Sequence, residues 1–125
     1  MLPNLPLCQM NRDLENLRDQ LRRFAAERDW DQFHSPKNLA SALVVEAAEL
    51  LERFQWLTEE QSRALSADDK QKVTEEIADV FVYLIRLADK LDVDLFEAAR
   101  EKIARNAEKY PVDKARGSAK KYTDL

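Results

Sequence analysis

Two acidic pairs set inside apolar helical patterns constrain this chain more than any other feature: Glu46-x-x-Glu49 and Glu76-x-x-Asp79. An α-helix turns about 100° per residue, so a spacing of three puts both carboxylates of a pair on one face. Around the first pair, Leu39, Leu43, Leu50 and Leu57 fall within about 40° of one another on the helical wheel, with Glu46 about 20° to the other side of Leu39. Glu46 is therefore on the apolar face, Glu49 is at its edge near Trp56, and Glu52 points outward. Around the second pair, Val73, Ile77, Val80, Phe81, Leu84, Leu87 and Leu91 mark the apolar side. Glu76 lies between Leu87 and Tyr83 on the wheel, Asp79 one step further round, and Glu75 points away. A lone carboxylate on a buried face costs several kcal/mol unless it is paired or metal-bound. Packed antiparallel, the two helices gather four carboxylates that cannot all stay ionised without a cation between them. The pattern suggests an enzyme that holds Mg²⁺, with Mn²⁺ able to substitute. A salt-bridge alternative, in which Arg53 and Arg86 pair with the acidic residues of a non-enzymatic helical oligomer, stays open on the residues alone.

The rest of the composition narrows the setting. One Gly and four Pro in 125 residues, with 45% hydrophobic and 35% charged side chains, favour an all-α protein over a turn-rich β fold. A net charge of −4 and a pI near 5.1 give no electrostatic case for nucleic acid or an anionic membrane. No apolar run is long enough for a signal peptide or a membrane span, so a cytoplasmic protein is expected. Cys8 has no partner for an internal disulfide, and with His34 the only histidine, zinc and imidazole-rich metal sites are disfavoured. A carboxylate-bridged di-iron bundle is disfavoured for the same reason.

In chain order, residues 1–10 with Pro3 and Pro6 read as an extended, flexible arm, residues 11–111 as one helical domain, and residues 112–125 as a basic tail with Lys114, Arg116, Lys120 and Lys121. A first helix is predicted from about Asn11 to Asp29, followed by a connector from Trp30 to His34. Ser35 as N-cap and Pro36 at the first helical position open a second helix, predicted to run to about Leu57. Thr58 with Gln61 marks a short helix through Leu65. Ser66 caps the long helix that carries the second acidic pair, and Asp94 with Glu97 opens a last helix through about Lys109, stopped by Pro111. The expectation is a bundle of four main helices plus a short one.

Two further constellations accompany the acidic pairs. Trp30 and Trp56, with Phe33, His34 and Phe54, are either plain core or the lining of a pocket that stacks a nucleobase. Lys102, Asn106 and Lys109 share one face of the last helix, beside Arg105 and Tyr110. A cation-rich stripe of this kind suits a substrate with several phosphates, or else complements the helix dipole.

The runs FHSPKNLASALVVEAAELLERFQWL (33–57), EEIADVFVYLIRLAD (75–89) and KIARNAEKYP (102–111) resemble the MazG-like all-α nucleotide pyrophosphohydrolases. Within that family the likeness extends to the dCTP pyrophosphatase branch through RDWDQFHSPKNLA (28–40) and the ending KKYTDL (120–125). The resemblance implies hydrolysis of a nucleoside triphosphate between the α and β phosphates, as pool sanitation centred on dCTP or 5-modified dCTP. A broader house-cleaning activity is the alternative. It implies Glu46, Glu49, Glu76 and Asp79 as Mg²⁺ ligands, with Glu49 also handling the attacking water. It implies Trp30 and Trp56 as the base pocket with His34 and Tyr83 near it, and Lys102, Asn106, Lys109 and Tyr110 on the phosphate side. Leu21 departs from a related enzyme that has a base-contacting histidine there, so base preference stays open. Family members assemble as dimers or dimers of dimers, which implies a homo-oligomer here.

Overall fold

The computed structural model describes residues 7–125, and within them the chain is helical with no strand. The helices are α1 (Leu7–Glu27), α2 (Pro36–Glu52), α3 (Glu59–Arg63), α4 (Ala67–Lys90), α5 (Leu95–Lys109) and the single turn α6 (Val112–Ala115), with 3₁₀ turns at Asp31–Phe33 and Tyr122–Asp124. Residues 1–6 of the expected N-terminal arm lie outside the described residues, and α1 takes in its last four. The chain forms two compact units, one running to Asp92 and one from Val93 to Leu125.

Short polar caps set most of the boundaries. Ser35 Oγ accepts from Asn38 N–H at 3.2 Å, Ser66 Oγ from Asp69 N–H at 3.1 Å, and Asp94 Oδ1 from Glu97 N–H at 3.0 Å. Each bond satisfies one of the amides that an α-helix leaves unpaired at its start. Thr58 and Gln61 make the reciprocal pair, Gln61 N–H to Thr58 Oγ1 at 3.1 Å and Thr58 N–H to Gln61 Oε1 at 2.9 Å.

That capping box also corrects the second helix, which ends at Glu52 rather than near Leu57. Thr58 must be extended to cap α3 (φ −73°, ψ 165°), so the chain leaves the α conformation before it. It does so through tight turns, with Arg53 N–H on Leu50 O at 3.2 Å, Phe54 N–H on Leu51 O at 2.9 Å and Leu57 N–H on Phe54 O at 2.9 Å.

In the first unit α2 packs chiefly on α4, and α1 also lies on α4. The pairing of α2 with α4 is antiparallel: His34, just before α2, meets Arg86 late in α4, while Arg53, just after α2, meets Glu76 in its first half. Ala25, Leu39, Val73, Ile85 and Ala88 form the buried apolar core. Much of the expected apolar stripe of α4 is exposed, with Ile77 at 53% and Phe81 at 45%, as are Val44, Val45 and Leu51 on α2.

The second unit is built on α5. Tyr122 folds back edge-on to Tyr110 with ring centroids 6.0 Å apart, and Lys109 Nζ lies 5.0 Å from the Tyr122 ring centroid.

Candidate metal and nucleotide site

The α2–α4 contact brings Glu46, Glu49 and Glu76 together, with one carboxylate oxygen from each lying within 4.8 Å of the others. Local sequence explains the convergence: Glu46 and Glu49 share a face of α2, and the antiparallel packing brings the Glu76 turn of α4 opposite them. Asp79, one turn on, is exposed and outside that group of three, though its charge still acts on Glu46. Burial, and then the neighbouring carboxylates of Glu49, Asp79 and Glu76, push the Glu46 carboxyl up to about 7. Its Oε2 is buried with no hydrogen-bond partner. An orphaned buried oxygen beside two further carboxylates is a donor set suited to a hard divalent cation, so these residues fit Mg²⁺.

One arginine offsets part of this charge. Arg53 Nη2 lies 3.2 Å from Glu76 Oε1. Arg86, the second cation weighed for the cluster, is committed elsewhere. It is buried and faces Asp31 at 3.0 Å, Asp89 at 3.6 Å and the Nδ1 of His34. Salt bridging therefore accounts for Glu76 in part and leaves Glu46 unpaired.

The aromatic candidates are placed by loop chemistry rather than by a helix face. Asp29 adopts the left-handed conformation (φ 54°) and ends α1, with Asp29 N–H on Ala26 O at 3.1 Å and Trp30 N–H on Ala25 O at 2.9 Å. This double bond is the Schellman arrangement, which commonly brings the second residue past the helix against the last turn. Here it seats Trp30 edge-on to Phe24, centroids 5.7 Å apart. Trp30 remains 46% exposed, and Trp56, in the turn after α2, is 87% exposed, so neither is plain core. The early end of α2 also removes the wheel position that set Trp56 beside Glu49. His34 and Tyr83 are half-buried. Lys102, Asn106, Lys109 and Tyr110 lie in the second unit, all exposed, the first three on one face of α5.

The residues that sequence reasoning missed are those that fasten the connector to α4. Asp31 accepts from Lys90 at 2.6 Å and from Arg86, and both cations hold its carboxyl below the usual range, Lys90 the more. Asp89 accepts from Arg22 Nε at 2.7 Å, which joins α1 to the same chain of charges and holds that carboxyl down as well. Asn38 Nδ2 donates to Phe33 O at 3.0 Å. Sequence periodicity gave no signal for them: Arg86 falls about 140° from Val73 on the wheel, off the apolar side marked by Leu84, Leu87 and Leu91, yet the structure buries it.

Fold and cluster together define a class: helical proteins that gather carboxylates from two facing helices around one point. The chain belongs to the MazG-like family, which matches over residues 42–125. It is 48% identical over 114 residues to dCTP pyrophosphatase 1 of Mus musculus, covering 90% of this chain and 67% of that protein. Against dCTP pyrophosphatase 1 of Homo sapiens the identity is 45% over 114 residues, with the same shares covered. A crystal structure of a pyrophosphatase from Archaeoglobus fulgidus superposes with a TM-score of 0.75 at 42% identity, covering 79% of this chain and 93% of that one. No helix among the described residues is long and apolar enough to cross a membrane.

Proposed function

We propose that this protein is a Mg²⁺-dependent nucleoside triphosphate pyrophosphohydrolase that cleaves between the α and β phosphates, releasing a nucleoside monophosphate and pyrophosphate. dCTP or a 5-modified dCTP is the preferred substrate. The observation that carries the reading is the converged Glu46, Glu49 and Glu76, with its orphaned buried oxygen, in a chain 45–48% identical to dCTP pyrophosphatases.

Glu46, Glu49, Glu76 and Asp79 would hold the cation, which would supply charge neutralisation of the polyphosphate and acidification of water. Glu49 orients the attacking water and takes its proton as the α-phosphorus is approached in line with the leaving pyrophosphate. Trp30 and Trp56 supply exposed aromatic faces for stacking the base, with His34 and Tyr83 reading its edge. Lys102, Asn106, Lys109 and Tyr110 bind phosphate oxygens through charge and hydrogen bonds. The exposed apolar residues of α2 and α4 support a homo-oligomer, dimer or tetramer.

Pyrophosphate release from a panel of canonical and 5-modified nucleoside triphosphates, with Mg²⁺, with Mn²⁺ and with chelator, tests the reading. Metal-dependent release confined to cytosine nucleotides is the expected result. Release from many bases instead assigns a broad house-cleaning role, and no release from any triphosphate returns the chain to a helical oligomerisation protein.

A further inference from the structure

The buried Arg86 touches His34 in a way that decides which imidazole nitrogen carries hydrogen. Its Nε lies 3.3 Å from His34 Nδ1 and its Nη2 lies 3.1 Å from the same atom. A guanidinium has donors and no acceptor, so Nδ1 must offer its lone pair. Imidazolium, with N–H on both nitrogens, would set donor against donor here. The hydrogen therefore sits on Nε2, on the side of the ring away from Arg86. Among the described residues Nε2 makes no hydrogen bond, and it is not sealed from solvent, since Glu46 Oε2 is the one buried side-chain polar atom found without a partner.

Arg86 is itself held on every side. Its side chain is 5% exposed, with Asp31 on one flank and Asp89 on the other. Lys90 shares Asp31, and Arg22 from α1 shares Asp89. The guanidinium has little freedom to turn away from His34. Burial and then the charges of Arg86 and Lys90 hold the imidazole pKa below its ordinary value, against the opposing pull of Asp31.

We propose that Arg86 is a positioning residue that locks His34 as the neutral Nε2–H imidazole, making it a hydrogen-bond donor of fixed sense toward an acceptor atom, carbonyl oxygen or ring nitrogen, of the nucleobase. The locked tautomer excludes the alternative form in which Nε2 accepts, and with it any base that presents an amino group at that point. The recognition half of the proposal rests on the nucleotide pyrophosphohydrolase reading. The tautomer half does not.

His34 is the only histidine, so a long-range ¹H–¹⁵N correlation of uniformly labelled protein shows one imidazole and reads its state directly. The expected wild-type spectrum has hydrogen on Nε2 alone at neutral pH, with a titration midpoint below the ordinary value of about 6.5. Arg86→Met, checked for folding by circular dichroism, is expected to mix the two tautomers and raise the midpoint. Arg86→Lys keeps the buried charge but not the paired donors and is expected to fall between. Hydrogen on Nδ1 in the wild type, or an unchanged Nε2–H form in folded Arg86→Met, would overturn the lock.

Steady-state kinetics test the other half. Arg86→Met and His34→Ala are each expected to raise KM for the preferred triphosphate about five- to tenfold with a much smaller change in kcat, the loss of about one neutral hydrogen bond. The double variant is expected to match His34→Ala alone, because Arg86 acts through the imidazole. Multiplying effects in the double variant, or unchanged KM in both singles while hydrolysis persists, would overturn the recognition role and leave the pyrophosphohydrolase reading standing. If wild type hydrolyses no triphosphate, that reading and the recognition role fall together, while the imidazole spectrum still decides the lock.

Discussion

Two charged regions flank the same pair of helices and resolve opposite problems. At one end of the α2–α4 contact, Glu46, Glu49 and Glu76 crowd like charges together, and only Glu76 has a cationic partner, Arg53. At the other, Arg22, Asp89, Arg86, Asp31 and Lys90 alternate in sign, each acid with two bases. The alternating chain satisfies itself and fixes geometry. The like-charged cluster is relieved only in part, by Arg53 on Glu76 and by the raised Glu46 carboxyl, and that residual repulsion is what the proposed cation would remove.

The largest expected contrast lies in turnover. Glu49→Gln and Glu46→Gln are expected to lower kcat at least about 100-fold with the fold preserved, measured as pyrophosphate release beside circular dichroism. Retained turnover in either would erase the functional difference between the two regions. In the alternating chain, Asp89→Asn is expected to cost about 2 kcal/mol of unfolding free energy, since it removes the acid shared by Arg22 and Arg86 and leaves them only Asp19 and Asp31. Urea unfolding checks it, and a change within experimental error would mean that the network contributes nothing to stability.

The two regions should also answer pH with opposite signs. The Glu46 carboxyl is raised from 4.5 to about 7, so the folded, metal-free protein holds that proton more tightly than the unfolded chain. Its contribution is fully present below pH 4.5 and is lost as pH rises toward 7. Asp31 and Asp89 are lowered from 3.8, so their contribution is present above that value and lost as pH falls through it. Melting temperatures in chelator should therefore decline from pH 5 toward pH 8, and Mg²⁺ should flatten that decline. A metal-insensitive profile would count against a cation at the cluster. The smallest effect is expected at Asp92, whose φ of 53° suits glycine: Asp92→Gly should raise stability by up to about 1 kcal/mol by thermal melting.

Much of this architecture was legible because it is local. Ser35, Thr58, Ser66 and Asp94 announce their helices through one side-chain oxygen and an amide three residues on, and all four make the bond. Glu46, Glu49 and Glu76 were legible because a three-residue spacing on an apolar face leaves a carboxylate few places to go. Arg86 was not, because its partners lie 55 residues back at Asp31 and three residues on at Asp89, and charge pattern alone does not choose between them and the acidic cluster. Trp56 was misplaced because a periodicity carried through Leu57 ignores the extended backbone that the next cap demands. Trp30 depends on a left-handed aspartate, where the usual sequence signal would be glycine.

The exposure of the two indoles has an optical consequence. Trp56, at 87% exposure, and Trp30, at 46%, are the only tryptophans, so the ligand-free protein is expected to emit like water-facing indole. A base stacking on either ring would quench that emission and shift it toward shorter wavelength. The fluorophores thus report occupancy without a label, and replacing them singly by phenylalanine tells which ring the base covers.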